Sequence, residues 1–165
     1  MRRLLVLILA QAVCIFSFSV SSRSKRRIKN LEKCVLMFDQ IETDILFSAD
    51  NIYGLIMKIS DENSPGFLNE FLQQPKSVPL ETRWSKSLEK LKHHDCFKSE
   101  DLRILKSFGK QLGVTDADGQ VKNCAAHKKL LQNNLSTALR ENEKRGNLYT
   151  TLGLLSSIGI IVLLI

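Results

Sequence analysis

No Walker-type or dinucleotide-binding glycine loop occurs in this 165-residue chain; its eight glycines are isolated at helix ends or in the last apolar stretch. No nucleophile elbow or zincin helix is present either. Cysteine is scarce and unpaired in pattern: Cys14, Cys34, Cys96 and Cys124 include no CxxC. Cys14 falls in an apolar stretch, so an odd number remains elsewhere, which argues against a disulfide framework and for a reducing compartment. No run of alternating residues is long enough for a sheet. Internal repeats are absent too. Nucleotide hydrolysis, redox dinucleotide chemistry and disulfide-stapled folds are therefore disfavoured.

The most informative absence is charge at the two ends. Leu148 to Ile165 (LYTTLGLLSSIGIIVLLI) carries none, and neither does Leu4 to Val20. Eighteen helical residues reach about 27 Å, close to the roughly 30 Å hydrocarbon core of a bilayer. Residues 4–20 and 148–165 are thus expected to be transmembrane helices flanking a single soluble domain at 21–147. A cleaved signal peptide is the alternative for the first stretch, with Met1-Arg2-Arg3 before it and Ser17-Phe18-Ser19 near its end. The long apolar run, with Phe18 and Val20 at the cleavage region, favours an uncleaved anchor.

All seventeen Asp and Glu lie between these stretches, with 22 of the 24 Lys and Arg, for a net charge of +5. The excess gathers at Arg23, Lys25, Arg26, Arg27 and Lys29, without interleaved aromatics. Such a run marks a membrane flank rather than a nucleic-acid surface. Arg140, Lys144 and Arg145 precede the second stretch. With only Arg2 and Arg3 on the other side, the positive charge places residues 21–147 in the cytoplasm.

Within the soluble part, apolar residues recur at helical spacing. Ile28, Leu31, Val35, Phe38, Ile41 and Ile45 make one face over 27–47. Ser48-Ala49-Asp50 offers a stop, and Ile52, Leu55, Ile56 and Ile59 follow. Ser64 is expected to cap a helix with Pro65 in its first position, burying Phe67, Leu68, Phe71 and Leu72. Pro75 ends it. Leu80, Trp84, Leu88 and Leu91 form the next face, so Trp84 reads as core. Lys92 to Lys98 (KHHDCFK) reads as a solvated link. Ser99-Glu100-Asp101 should start a helix burying Leu102, Leu105, Phe108 and Leu112, with Gly113 as its stop. The final helix is expected from about Asp116 to Lys144 and onward, capped by Asp116 or Thr115. Val121, Cys124, Leu131, Leu135 and Ala138 recur there as an approximate heptad, interrupted by Lys128.

The expected fold is therefore all-α: a membrane-anchored antiparallel bundle of five to six helices. The first and last soluble helices should pair, with the shorter ones closing the far end. No catalytic, cofactor-binding or metal-binding constellation emerges. His93, His94, Asp95 and Cys96 are neighbours on one short segment and lack a second ligand pair, and His127 stands alone. In the last stretch Gly153 and Ser157 keep a small-xxx-small spacing that admits a close helix, as do Ala10 and Cys14 in the first.

Leu105 to Gln120 reads L-K-S-F-G-K-Q-L-G-V-T-D-A-D-G-Q. Its Phe108-Gly109, Leu112-Gly113, Asp116 and Gln120 stand at a spacing that resembles the stage III sporulation protein AB family. Trp84 followed by Leu88, Tyr149, Leu152-Gly153 and the apolar end at Leu163-Leu164-Ile165 extend the resemblance. It covers the whole chain in plan, with its specific motifs in the final third. Ser156 and Ser157 depart from it, standing where glycines would be expected. The resemblance implies a mother-cell membrane protein of an endospore-forming bacterium, in a secretion-like channel complex reaching the forespore. It further implies a soluble part like the F-type platform domain of type II secretion systems. Such a platform has no chemistry or cofactor of its own and couples a cytoplasmic AA-type ATPase to membrane components; homo-oligomerisation is left open. A platform or assembly factor of another secretion or pilus system is one rival, though those carry two related domains. A small membrane metal sensor built on His93, His94 and Cys96 is the other, and nucleic-acid binding through Arg23 to Lys29 is a weaker third.

Overall fold

A computed structural model describes the backbone of residues 2–47, 52–61, 64–92 and 94–164. The side chains of 2–21, 52 and 145–164 lie outside that description. Among the described residues there are six α-helices and no strand: α1 (Arg2–Phe47), α2 (Ile52–Ile59), α3 (Gly66–Gln73), α4 (Leu80–Leu91), α5 (Ser99–Gln111) and α6 (Ala117–Leu164). The expected all-α class holds. Helices α1 and α6, of 46 and 48 residues, would each be about 70 Å long. Among the described residues no helix is long and apolar enough to cross a membrane. The expected spans at 4–20 and 148–165 are helical in backbone as far as Leu164, but their side chains fall outside the description, as does the Ser48-Ala49-Asp50 stop.

The long helices pack mainly on each other, as expected. Their direction is read from polar pairs. Lys128 on α6 holds Asp39 and Glu42 on α1 at 2.8 and 2.7 Å, whereas Arg27 and Asn134 meet at one carboxylate, Asp101. Numbers rise along α1 as they fall along α6, so the pair is antiparallel. The remaining helices alternate in direction. Lys58 reaches back to Asp44, Lys90 to Glu70, and the Trp84 indole to the carbonyl of Leu105. The result is an up-and-down bundle with short connections, which suits helices that each bury one stripe.

The short helices do not close the far end as expected. Helix α2 packs on α1 and α5 on α6, while α3 and α4 bridge between them, so the six helices close a ring around one core. Helix α5 reaches both long helices: its Asp101 meets Arg27, and two turns later Phe108 meets Phe38 on α1 and His127 on α6. The physical reason is the length of the apolar stripes. Ile28 to Ile41 on α1 and Cys124 to Ala138 on α6 need covering along their whole length, and only helices laid alongside can do that. The core gathers Leu31, Phe38 and Ile41 with Leu55, Ile56, Phe67, Phe71, Trp84, Leu105, Phe108 and Leu131.

Helix starts differ from expectation by one residue. Pro65, not Ser64, occupies the N-cap of α3, and the Ser64 hydroxyl donates instead to the carbonyl of Asp61 at 2.7 Å. Proline lacks an N–H, so the cap position costs it nothing. Helix α5 begins with Lys98 as N-cap rather than Ser99, because the Asp101 carboxylate accepts the Lys98 backbone N–H at 2.8 Å.

Candidate functional site

The motif residues Phe108, Gly109, Leu112, Gly113, Asp116 and Gln120 build the elbow between α5 and α6. Gly113 has φ 79°, a conformation open to glycine and strained for most other residues, and it ends α5 as expected. Gln120 staples the turn. Its amide nitrogen donates to the Gln111 carbonyl at 2.9 Å and the Thr115 hydroxyl at 2.8 Å, and its oxygen accepts the Gly113 N–H at 3.2 Å. Orphan groups at the end of α5 are thereby satisfied from the first turn of α6. Asp116 caps α6 by accepting the Gly119 N–H at 2.9 Å. Leu112 is buried beneath.

Gly109 has a different reason. A methyl group there would lie 2.2 Å from Cδ1 of Trp84 and 2.6 Å from its Cγ. The indole lies against this bare stretch of helix and donates to the carbonyl of Leu105 at 2.8 Å. Trp84 is fully buried, edge-on to Phe67, Phe71 and Phe108. The Phe-Gly pair and the tryptophan, far apart in sequence, are thus two halves of one contact. Tyr149 and Gly153 fall among residues whose side chains are outside the description.

Sequence reasoning missed two polar centres. The first is Asp101, fully buried, which receives Nε and an NH2 group of Arg27 at 2.7 and 2.9 Å and the Asn134 amide at 2.8 Å. A paired and hydrogen-bonded carboxylate is tolerated in a core where a bare one is not. Arg27 therefore leaves the basic run of the sequence: it is buried, while Arg23, Lys25, Arg26 and Lys29 remain exposed. The signal that could have found it is its place one residue before Ile28, on the edge of the apolar face. The second is Lys128, whose break in the heptad is an ion pair to Asp39 and Glu42; these hydrogen bonds push its pKa up.

The link at 92–98 is less solvated than expected, since Asp95 is buried and its carbonyl accepts from Asn30 at 3.0 Å. Among the described residues no three His, Cys, Asp or Glu side chains are placed to hold a metal ion, and His93 lies outside the description. His127 is in the core, bonded to the carbonyl of Asn123 at 2.9 Å. Burial pushes the Cys34 thiol well up, with Asp95 and Asp101 adding to it. Burial likewise pushes Cys124 up to about 12, Glu42 adding and Lys128 opposing. Both thiols stay protonated at neutral pH, the opposite of what a nucleophile or thiolate ligand requires. An open groove follows α1 past Leu36 and Asp44 to Lys58 and Ile59.

The described geometry organises helices. A structure titled stage III sporulation protein AB matches with a TM-score of 0.61 at 20% identity, over 72% of this chain and 97% of that one. At that identity the likeness establishes the fold. Curated proteins give no match. The family model for stage III sporulation protein AB matches residues 3–165. The chain belongs to the stage III sporulation protein AB family, a family of sporulation components.

Proposed function

We propose that this protein is a non-enzymatic platform in the secretion-like channel complex that links mother cell and forespore. Segments 4–20 and 148–165 anchor it in the mother-cell membrane, and residues 21–147 stand in the cytoplasm. There the bundle couples a secretion-type AA ATPase to the membrane assembly. The observation that carries this reading is the antiparallel register of α1 and α6. Continued along both helices, it brings residues 21 and 147 to the same end, where both uncharged segments begin. The exposed Arg23, Lys25, Arg26 and Lys29, with Arg140 and Lys144, gather positive charge at that end and suit anionic headgroups.

Two continuous helices would make the attachment stiff. A bundle on one anchor swivels about its linker, whereas one on two anchors transmits a push through fixed elements. The Arg27–Asp101–Asn134 cluster supports this, since it ties α1, α5 and α6 together on the side facing the anchors. Insertion of a flexible Gly/Ser linker after Arg145 tests the coupling. The variant should insert into membranes normally and fail to complete sporulation. Full sporulation with the linker in place would refute mechanical coupling.

A further inference from the structure

Arg83 is a buried cation with no carboxylate partner among the described residues. Only 4% of its surface is exposed. Its guanidinium carbon lies 4.2 Å from the centre of the Phe71 ring and 5.2 Å from that of Tyr53. One NH2 donates to the Phe71 carbonyl at 3.0 Å, while the buried Nε has no partner. Among the described residues no carboxylate pairs with it. Lys76 stands beside the same Tyr53 ring, its Nζ 4.2 Å from the centroid, and it too lacks a carboxylate among the described residues. Among the described residues, Glu70 is paired with Lys90, and Glu89 with Lys92 and Lys106.

We propose that Arg83, with Lys76 as a second cation, receives a carboxylate side chain presented by a partner protein. A buried guanidinium costs free energy unless its charge and its N–H groups are met, and rings plus one carbonyl meet them only in part. The planar fork at Nε is the group best matched to the two oxygens of a carboxylate. Tyr53, itself partly buried, is the cover that must move to admit it. A protein ligand is favoured over a lipid headgroup by position. Arg83 and Tyr53 open α4 and the α1–α2 hairpin, at the end of the bundle opposite Arg27 and Asp101. That last clause alone rests on the platform reading; the unmet cation does not.

The site also touches the core directly. Phe71 lies 5.9 Å from Trp84, which reaches Phe108 at 5.6 Å, and Phe108 reaches Phe38 on α1 and His127 on α6. An occupant at Arg83 would therefore press on side chains packed against both long helices.

The test uses the full chain in nanodiscs, with the Arg83 Nε–H nuclear magnetic resonance signal as reporter. The probes are an N-acetylated, C-amidated tri-glutamate peptide, the tri-glutamine equivalent, and inorganic phosphate. Tri-glutamate should shift the signal saturably, and tri-glutamine should not. Calorimetry should show binding weakened at least about tenfold by Arg83→Lys, which keeps the charge and loses the fork. The indole N–H of Trp84, the single tryptophan, reports that the variant is folded. If Arg83→Lys fails to fold, Lys76→Gln should weaken binding about threefold. No shift with tri-glutamate would overturn the proposal. So would an equal shift with phosphate or with anionic nanodisc lipid alone, or undiminished binding by the folded variants.

Discussion

Arg27 and Arg83 are both buried, both stacked into the same small bundle, and solved in opposite ways. Arg27 has a carboxylate: Asp101 takes two of its donors, and the same carboxylate holds Asn134 and the start of α5. Arg83 has two aromatic rings, one carbonyl and an unmet Nε. The first arrangement is closed and ties three helices together. The second is open to completion from outside. One residue type thus serves as an internal tie at one end and, as proposed, as the contact for a partner's carboxylate at the other.

The comparison can be broken by substitution. Arg27→Met should cost the most, about 3–5 kcal/mol in thermal or denaturant unfolding, because it strands the buried Asp101 carboxylate. Gly109→Ala follows, at roughly 1–3 kcal/mol, since the new methyl drives into an indole that its hydrogen bond to Leu105 holds in place. Arg83→Met should cost less than about 1 kcal/mol: the thioether fills similar space, and no partner is left with an unpaired charge. A loss as large as that of Arg27→Met would show that Arg83 is a structural tie after all. Lys128→Ala should be comparably small, about 0.5–1 kcal/mol, because its ion pairs to Asp39 and Glu42 are partly solvated. Its sign with pH is fixed. The folded pKa of Lys128 is raised, so the contribution is fully present below the ordinary lysine value of 10.5 and fades as pH rises through the folded value. Wild type and Lys128→Ala should therefore converge in stability at strongly alkaline pH.

Periodicity was sufficient for the elements and most of the core. Apolar spacing placed Leu31, Phe38, Phe67, Phe71, Trp84, Leu88, Leu105 and Phe108 inside, where they are. It missed Met37 and Ile104, which lie on the edges of their stripes and are buried by neighbours that spacing does not reveal. The antiparallel α1–α6 pair followed from two uncharged ends, but the lateral placement of the short helices did not, since local patterns carry no information on which flank is free. Gly113 and Asp116 were visible as turn chemistry, and the geometry bears that out, whereas Gln120 was visible only as a motif letter and its stapling bonds needed the fold. Gly109 was visible only as a motif letter. Its reason lies on Trp84, 25 positions away, and needs the fold to appear. The same holds for Arg27, which charge patterning assigned to the membrane flank and tertiary pairing draws inside.

The claim that both long helices leave the bundle on one cytoplasmic face is the one on which the platform reading turns. It can be measured with one cysteine introduced at a time, at Ser22 or Asn147, in a Cys14→Ser, Cys96→Ser background, where the buried, protonated Cys34 and Cys124 stay silent. The reagent is a membrane-impermeant maleimide applied to sporulating cells from which the wall has been removed. Both positions should label only after the membrane is permeabilised, and to similar extents. Labelling of either one in intact cells would contradict the account.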